Sequence, residues 1–121
     1  MEETEKLTCK LTCKNKVKEA MFSRLNDIRR LYKAEDNQTE DLGSLYEYGL
    51  SLDYVKPKTF PNQNNGYTRY QLSCGGPSEE FRWYNDSSRV EFWYLDWFDG
   101  AYSLVPDKDL GMIKSIMKPE Y

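Results

Sequence analysis

Hydrophobic and polar residues alternate along residues 67 to 105, where short turn-rich loops separate four apolar runs. Alternation with a period of two is typical of strands that place one face on a core and the other outside it. We therefore predict an antiparallel meander of four strands in this region. The same stretch holds eleven of the eighteen aromatic residues, so the meander is expected to carry the core of the fold.

Loop length predicts how the first three of these strands pair. A four-residue loop after Cys74 opposes it to Glu79, and a second four-residue loop opposes Tyr84 to Arg89. Both registers assign the side chains to the same two faces of the sheet. One face collects Tyr70, Leu72, Phe81, Trp83, Val90 and Phe92, and the other collects Arg69, Gln71, Arg82, Arg89 and Glu91. Arg82 and Glu91 become a cross-strand pair worth about 0.2–1 kcal/mol.

The third turn is predicted at Asp99-Gly100, a type I′ hairpin signal in which glycine supplies the positive φ. This register sets Trp97 opposite Tyr102 and Leu95 opposite Leu104. Together with Trp93 they form an apolar half on the face that is charged in the first two strands. Two interpretations stay open: a helix of this chain covers the apolar half, or the apolar half is a protein-binding patch.

Helical spacing of apolar residues predicts a long helix from Asn15 to Ala34, preceded by residues 1 to 12, which we expect to be frayed or flexible. Its expected buried stripe consists of Val17, Met21, Phe22, Leu25, Ile28, Leu31 and Tyr32. That stripe is expected to pack on the sheet.

Shorter elements flank the meander. Asn37 to Tyr48 is predicted as a second helix whose buried side is Leu42, Leu45 and Tyr46. Ser51 to Val55 is predicted as an edge strand because Pro57 and Pro61 follow it. Asp107 to Lys118 is predicted as the last helix. The pattern thus predicts one α+β domain over residues 1 to 121, with a meander of three to five strands packed against three helices.

Charge is distributed unevenly along the chain. Residues 1 to 34 hold nine basic and five acidic side chains, a net charge of +4, whereas residues 35 to 121 hold eight and fifteen, a net charge of −7. The predicted basic face of the first helix consists of Lys14, Lys16, Lys18, Arg24, Arg29, Arg30 and Lys33. Such a face can contact a phosphate backbone, although most charge runs are solvated helix faces.

The cysteines and the missing histidine narrow the chemistry. With no histidine in the chain, the usual general base and the commonest metal ligand are lacking. Cys9 and Cys13 lie in a tandem Leu-Thr-Cys-Lys repeat, but a zinc site needs about four ligands. We predict neither a metal site nor a cofactor, while a disulfide across a dimer stays open. Cys74 is predicted to be a buried thiol. Three cysteines and no membrane-spanning run favour a cytoplasmic protein.

Binding is therefore favoured over catalysis, and no catalytic residue is predicted. The expected partner-binding residues are the carboxylates and aromatic residues of the meander. They are Glu79, Glu80, Asp86, Glu91, Trp93, Asp96, Trp97, Asp99 and Tyr102. Alternatives are a nucleic-acid-binding accessory protein that uses the basic helix, or a small enzyme acting through carboxylates such as Glu91, Asp96 and Asp99.

Three strings carry a resemblance over roughly residues 42 to 105: Leu45 to Val55, Gly66 to Arg82, and Glu91 to Ala101 with its Glu-Phe-Trp-Tyr-Leu-Asp-Trp-Phe-Asp-Gly-Ala run. They resemble the signature of small uncharacterised proteins encoded by phages and plasmids. Small acidic proteins of that origin are often similar to anti-CRISPR or antirestriction factors. The resemblance implies a non-enzymatic inhibitor whose partner is a CRISPR effector or restriction nuclease in the bacterial host cytoplasm. The sequence is compatible with either a monomer or a homodimer.

Overall fold

Helices and strands follow one another as the sequence pattern predicts, with a long helix first, a meander in the middle and a short helix last. The computed structural model describes residues 2–75, 77–96 and 99–118, with side chains at residue 14 and from residue 16 onward. The helices are α1 (Glu2–Lys33), α2 (Leu45–Tyr48) and α3 (Asp107–Met117). The strands are β1 (Gln38–Thr39), β2 (Gly43–Ser44), β3 (Ser51–Val55), β4 (Tyr67–Ser73), β5 (Ser78–Tyr84), β6 (Glu91–Asp96) and β7 (Asp99–Leu104). The predicted α+β architecture is confirmed.

Helix α1 begins earlier than its apolar pattern predicts, at Glu2 instead of Asn15. The added turns are rich in Glu, Lys and Leu, which are strong helix formers. Most of the predicted stripe is buried: Val17, Met21, Leu25, Ile28 and Leu31. The prediction is wrong for Phe22 and Tyr32, which are about half exposed because they lie at the margins of a stripe that the sheet contacts only along its centre.

The predicted second helix is wrong over most of its length. Residues 37 to 44 form a turn and the small β1–β2 hairpin, and α2 has only four residues. Asn37 and Gly43 both have positive φ, a backbone conformation that an α-helix excludes. Helix α2 instead starts at Leu45 and is capped by Ser44, whose hydroxyl accepts a hydrogen bond from the Glu47 amide at 3.2 Å. Tyr46, which was expected to be buried, is 88% exposed.

Within the described residues, β3 to β7 form one antiparallel sheet of five strands in sequential order. The predicted edge position of β3 is therefore confirmed. The register of β5 with β6 is also as predicted, with Phe81 opposite Phe92 and Arg82 opposite Glu91. The first hairpin differs: Ser73, not Cys74, lies opposite Glu79, and a bulge near Leu72 shifts the earlier pairs by two residues relative to the prediction.

The third hairpin shows the largest difference in register. Trp93 lies opposite Tyr102, and Asp96 lies opposite Asp99, so the predicted turn at Asp99-Gly100 is wrong and both residues belong to β7. Glycine is required at position 100 for close packing and not for a positive φ. A Cβ there would lie 2.8 Å from a methyl group of Leu95. Trp97, whose predicted pairing is with Tyr102, lies outside the described residues.

Because both register shifts are even, the faces of the sheet are as the alternation predicts. The inner face packs against α1 and α3 through a buried cluster. Its members are Val17, Met21, Leu25, Ile28, Tyr70, Leu72, Phe81, Val90, Phe92, Val105, Ile113 and Met117. The predicted buried thiol of Cys74 is wrong: the side chain is exposed, because β4 ends one residue before it. None of the helices in the described ranges combines the length and hydropathy that crossing a bilayer requires.

Candidate functional site

The candidate site is the outer face of the sheet, the face that points away from α1 and α3. The registers of β4 to β7 bring a ladder of stacked rings and one guanidinium across this face. In order of contact, the ladder consists of Tyr84, Tyr67, Arg82, Trp93 and Tyr102. We call this set the aromatic ladder.

Arg82 is the centre of the ladder. Its guanidinium carbon lies 4.4 Å from the ring centroid of Trp93 and 5.1 Å from that of Tyr67, so it stacks on both rings as a cation. Its Nε donates to Glu80 at 2.7 Å. Burial by itself lowers the pKa of Arg82, but the hydrogen bond and charge of Glu80, with smaller contributions from Tyr67 and Tyr84, together outweigh it, and the pKa is raised. Arg82 therefore carries a permanent charge within the ladder.

The predicted contact between Arg82 and Glu91 is replaced by another pair. Although the two residues are opposed in the register, Glu91 accepts a hydrogen bond from Nε1 of Trp93 at 2.8 Å. Trp93 is thereby held from two directions, by Glu91 at its ring nitrogen and by Arg82 on its face. An aromatic side chain held in this way loses little conformational entropy when a partner covers it.

The apolar half of the outer face is open to solvent at its β7 edge. The Tyr102 and Trp93 rings stack with centroids 4.9 Å apart and planes 26° apart. Tyr102 is nonetheless 54% exposed and Leu104 is 45% exposed. Since the described parts of α1 and α3 pack on the inner face, the expectation that a helix covers this half is wrong for these two residues. We call Trp93, Leu95, Tyr102 and Leu104 the open apolar stripe.

The polar half of the same face lies under the loop that joins β3 to β4. A cleft of about 590 Å³ separates this loop from Arg69, Arg82 and Glu80. Arg69 donates to both carboxylate oxygens of Asp53, at 3.1 and 2.7 Å. The charged side chains that line the cleft are thus paired within the chain. The open apolar stripe is the part of the outer face whose apolar side chains remain exposed to solvent.

The structure does not bring all of the sequence-predicted binding residues together. Glu80, Glu91, Trp93 and Tyr102 come together on the outer face, although Glu80 is only 3% exposed and faces Arg82. Glu79 lies on the inner side, where it accepts hydrogen bonds from Arg24 at 3.0 and 3.3 Å.

The remaining predicted residues lie at the ends of hairpins. Asp86 accepts a hydrogen bond from the side chain of Asn65 at 2.8 Å, and Asp99 accepts one from the amide of Gly100 at 2.9 Å. Asp96 lies directly opposite Asp99. Trp97 is outside the part of the chain that the structure describes.

Ion pairs within the chain occupy much of the basic face of α1. Arg24 pairs with Glu79, Arg29 with Asp109 and Arg30 with Asp41, at N to O distances of 3.0, 2.8 and 3.0 Å, respectively. Arg24 also donates to the Tyr48 hydroxyl. Burial raises the pKa of Tyr48 to about 12, helped by its hydrogen bond to Asp27. A guanidinium paired in this way contributes less to the attraction of a phosphate backbone, which weakens the nucleic-acid interpretation.

A second apolar surface was missed by the sequence analysis. A groove of about 730 Å³ lies beside β3, between that strand, α2 and the ends of α1 and α3. Its exposed apolar residues are Tyr32, Tyr46, Leu50 and Leu52. The signal was present in the density of apolar residues from Leu45 to Leu52, but the predicted helix assigned Leu45 and Tyr46 to the core.

Among the described side chains, no group of three or more histidine, cysteine or carboxylate residues is placed to hold a metal ion. Comparison of the chain with protein-family models, with curated proteins and with solved structures gives no match.

Proposed function

We propose that this protein is a non-enzymatic binding protein whose contact surface is the open apolar stripe. The observation that carries the proposal is the exposure of Tyr102 and Leu104 beside a tryptophan that is already held in place by Glu91 and Arg82. Rigid aromatic residues on a sheet are the residues that dominate protein interfaces. Trp93 and Tyr102 are the proposed anchors, and Glu91 and Arg82 are the polar rim.

The proposed partner is a nuclease complex of bacterial host defence, either a CRISPR effector or a restriction nuclease. Support for this target class comes from the resemblance of residues 42 to 105 to small phage and plasmid proteins, together with the net charge of −3. A nuclease that binds nucleic acid presents a basic groove, and exposed carboxylates such as Asp86 and Asp99 would steer the protein toward it. The action is proposed to take place in the host cytoplasm.

The proposal is tested by expressing the protein in bacteria that carry a panel of CRISPR and restriction systems, and by measuring phage plaquing efficiency. Inhibition of at least one system is expected, with a salt-sensitive complex between the purified protein and that nuclease. Tyr102→Lys and Leu104→Lys are each expected to raise the dissociation constant by about 30-fold or more, which is the loss of affinity typical of an interface hot spot.

Phe22→Lys is the matched control, because Phe22 is also a half-exposed aromatic residue but lies on α1. It should leave binding and inhibition unchanged. A panel of systems untouched by the protein would overturn the proposed target class. Equal binding by the wild-type protein and by both stripe variants would overturn the proposed surface.

A further inference from the structure

Strand β3 presents an unpaired edge. It lies at one end of the sheet and, among the described residues, pairs only with β4. In an antiparallel edge strand, alternate backbone N–H and C=O groups point outward and can pair with another strand. Four of its five residues, Ser51 to Tyr54, are exposed. Asp53 is the only charged residue of the strand, so the edge has little of the charge that commonly blocks edge pairing.

The groove beside this edge concentrates exposed apolar surface. Of the large hydrophobic residues described as exposed, Tyr32, Tyr46, Leu50 and Leu52 line the groove, and Tyr54 follows on the same side of β3. Leu50 is 61% exposed. Contiguous apolar surface next to an unpaired strand edge is the arrangement that β-strand addition uses, with backbone hydrogen bonds at the edge and side chains in the groove.

A second copy of β3 is complementary to the first. When two copies pair antiparallel about a two-fold axis at Asp53, Leu52 of each copy lies opposite Tyr54 of the other, and Ser51 lies opposite Val55. Leu52 and Tyr54 are both on the groove side of the strand, because residues two apart share a face. The Tyr54 ring lies close over Gly66, with its hydroxyl held by Asn85 at 2.6 Å, so it offers a fixed apolar surface to Leu52 of the other copy.

The charge at the axis is also compatible with a second copy. Two opposed aspartates ordinarily repel each other. Here each Asp53 carboxylate is already held by Arg69 of its own chain through two hydrogen bonds. The two aspartates at the axis are therefore flanked by an arginine on each side, which offsets their repulsion. Pro57, two residues beyond the strand, lacks the N–H that further pairing would need, which confines the junction to β3.

We propose that two copies of this protein associate through their β3 edges into one sheet that is continuous across both copies. The two-fold axis is then perpendicular to the sheet, so both outer faces lie on the same side. The two open apolar stripes would therefore face one direction and could engage a partner bivalently. The association does not depend on the function proposed above.

Cysteine cross-linking tests the register directly, in a background in which Cys9, Cys13 and Cys74 are replaced by serine. In the proposed pairing, two Asp53→Cys residues face each other with Cα atoms about 4.5–5.5 Å apart, which a disulfide spans. The two Ser51→Cys residues would be separated by about 13 Å or more along the strand, which is too far. Mild oxidation is expected to cross-link the Asp53→Cys protein and to leave the Ser51→Cys protein monomeric on a non-reducing gel.

Light scattering during size-exclusion chromatography gives the second measurement. The wild-type mass is expected to double as the concentration rises, Leu52→Lys is expected to remain monomeric, and Leu104→Lys on the outer face is expected to dimerise normally. A wild-type protein that stays monomeric at every concentration would overturn the proposal, as would equal cross-linking at positions 51 and 53. Loss of the dimer in Leu104→Lys alone would show that the outer face is the contact between copies. Binding of a foreign strand at β3 by a protein that never dimerises would also overturn it.

Discussion

The Tyr70 ring packs so closely on the backbone of Gly49 that any side chain at position 49 would require the ring to move. A Cβ on Gly49 would lie 2.1 Å from a ring carbon of Tyr70. Tyr70 belongs to the buried cluster and also lines the groove, so this one close approach joins the core to a surface. Gly111 is the opposite case, since a Cβ there meets no heavy atom within 4 Å.

We expect Gly49→Ala to lower the free energy of unfolding by about 1–3 kcal/mol, because the added methyl group displaces a packed ring. Gly111→Ala is the control. It lies inside α3, where alanine is favoured over glycine by about 0.5–1 kcal/mol, so it should raise the stability. Urea unfolding of both variants measures the two values, and a Gly49→Ala protein as stable as the wild type would contradict the close contact.

The β6–β7 hairpin shows at the scale of an element how local signals and packing compete. The Asp-Gly dipeptide predicts the turn at Asp99-Gly100, yet both residues lie in β7. The observed register stacks Tyr102 on Trp93 and places Gly100 under Leu95. Aromatic stacking and the close Leu95 contact thus outweigh the turn preference of two residues.

A double-mutant cycle distinguishes the two registers of this hairpin. In the observed register, Trp93→Ala and Tyr102→Ala should be coupled by about 0.5–1.5 kcal/mol in unfolding free energy, as expected for a stacked aromatic pair. Leu95→Ala and Leu104→Ala should be additive within about 0.5 kcal/mol, because they are not opposed. Coupling of the leucine pair without coupling of the aromatic pair would instead support the register with a turn at Asp99-Gly100.

Over the whole molecule, the basic face of α1 joins distant parts of the chain. Its arginines pair with Asp41 in the loop between β1 and β2, with Glu79 in β5 and with Asp109 in α3. These pairs differ in burial. Asp109 is nearly completely buried beside Arg29, which is 32% exposed, whereas Arg30 and Asp41 are both open to solvent. Part of the excess basic charge of residues 1 to 34 is therefore neutralised by ion pairs with acidic residues elsewhere in the fold.

We expect Asp109→Ala to destabilise the protein by at least about 2 kcal/mol. Breaking a fully buried ion pair costs about 3–5 kcal/mol, and the partial exposure of Arg29 reduces this penalty. Asp41→Ala is the matched control and should leave the denaturation midpoint nearly unchanged, because an exposed pair contributes little. Chemical denaturation of the two variants gives the comparison, and equal losses would show that burial does not separate the pairs.

The sequence alone determined the α+β class, the order of the main elements and the two faces of the sheet. Alternation is a local property, and the register shifts of two and four residues leave the described side chains of the paired residues in β4 to β7 on their predicted faces. The membership of Trp93 and Tyr102 in one face was therefore predictable, whereas their stacking was not. The tertiary structure decided which residues are opposed in the β4–β5 and β6–β7 hairpins, which carboxylates are paired with arginines, and that the groove beside β3 is open. These features depend on contacts between residues far apart in the chain, and a local pattern carries no information about the distance between them.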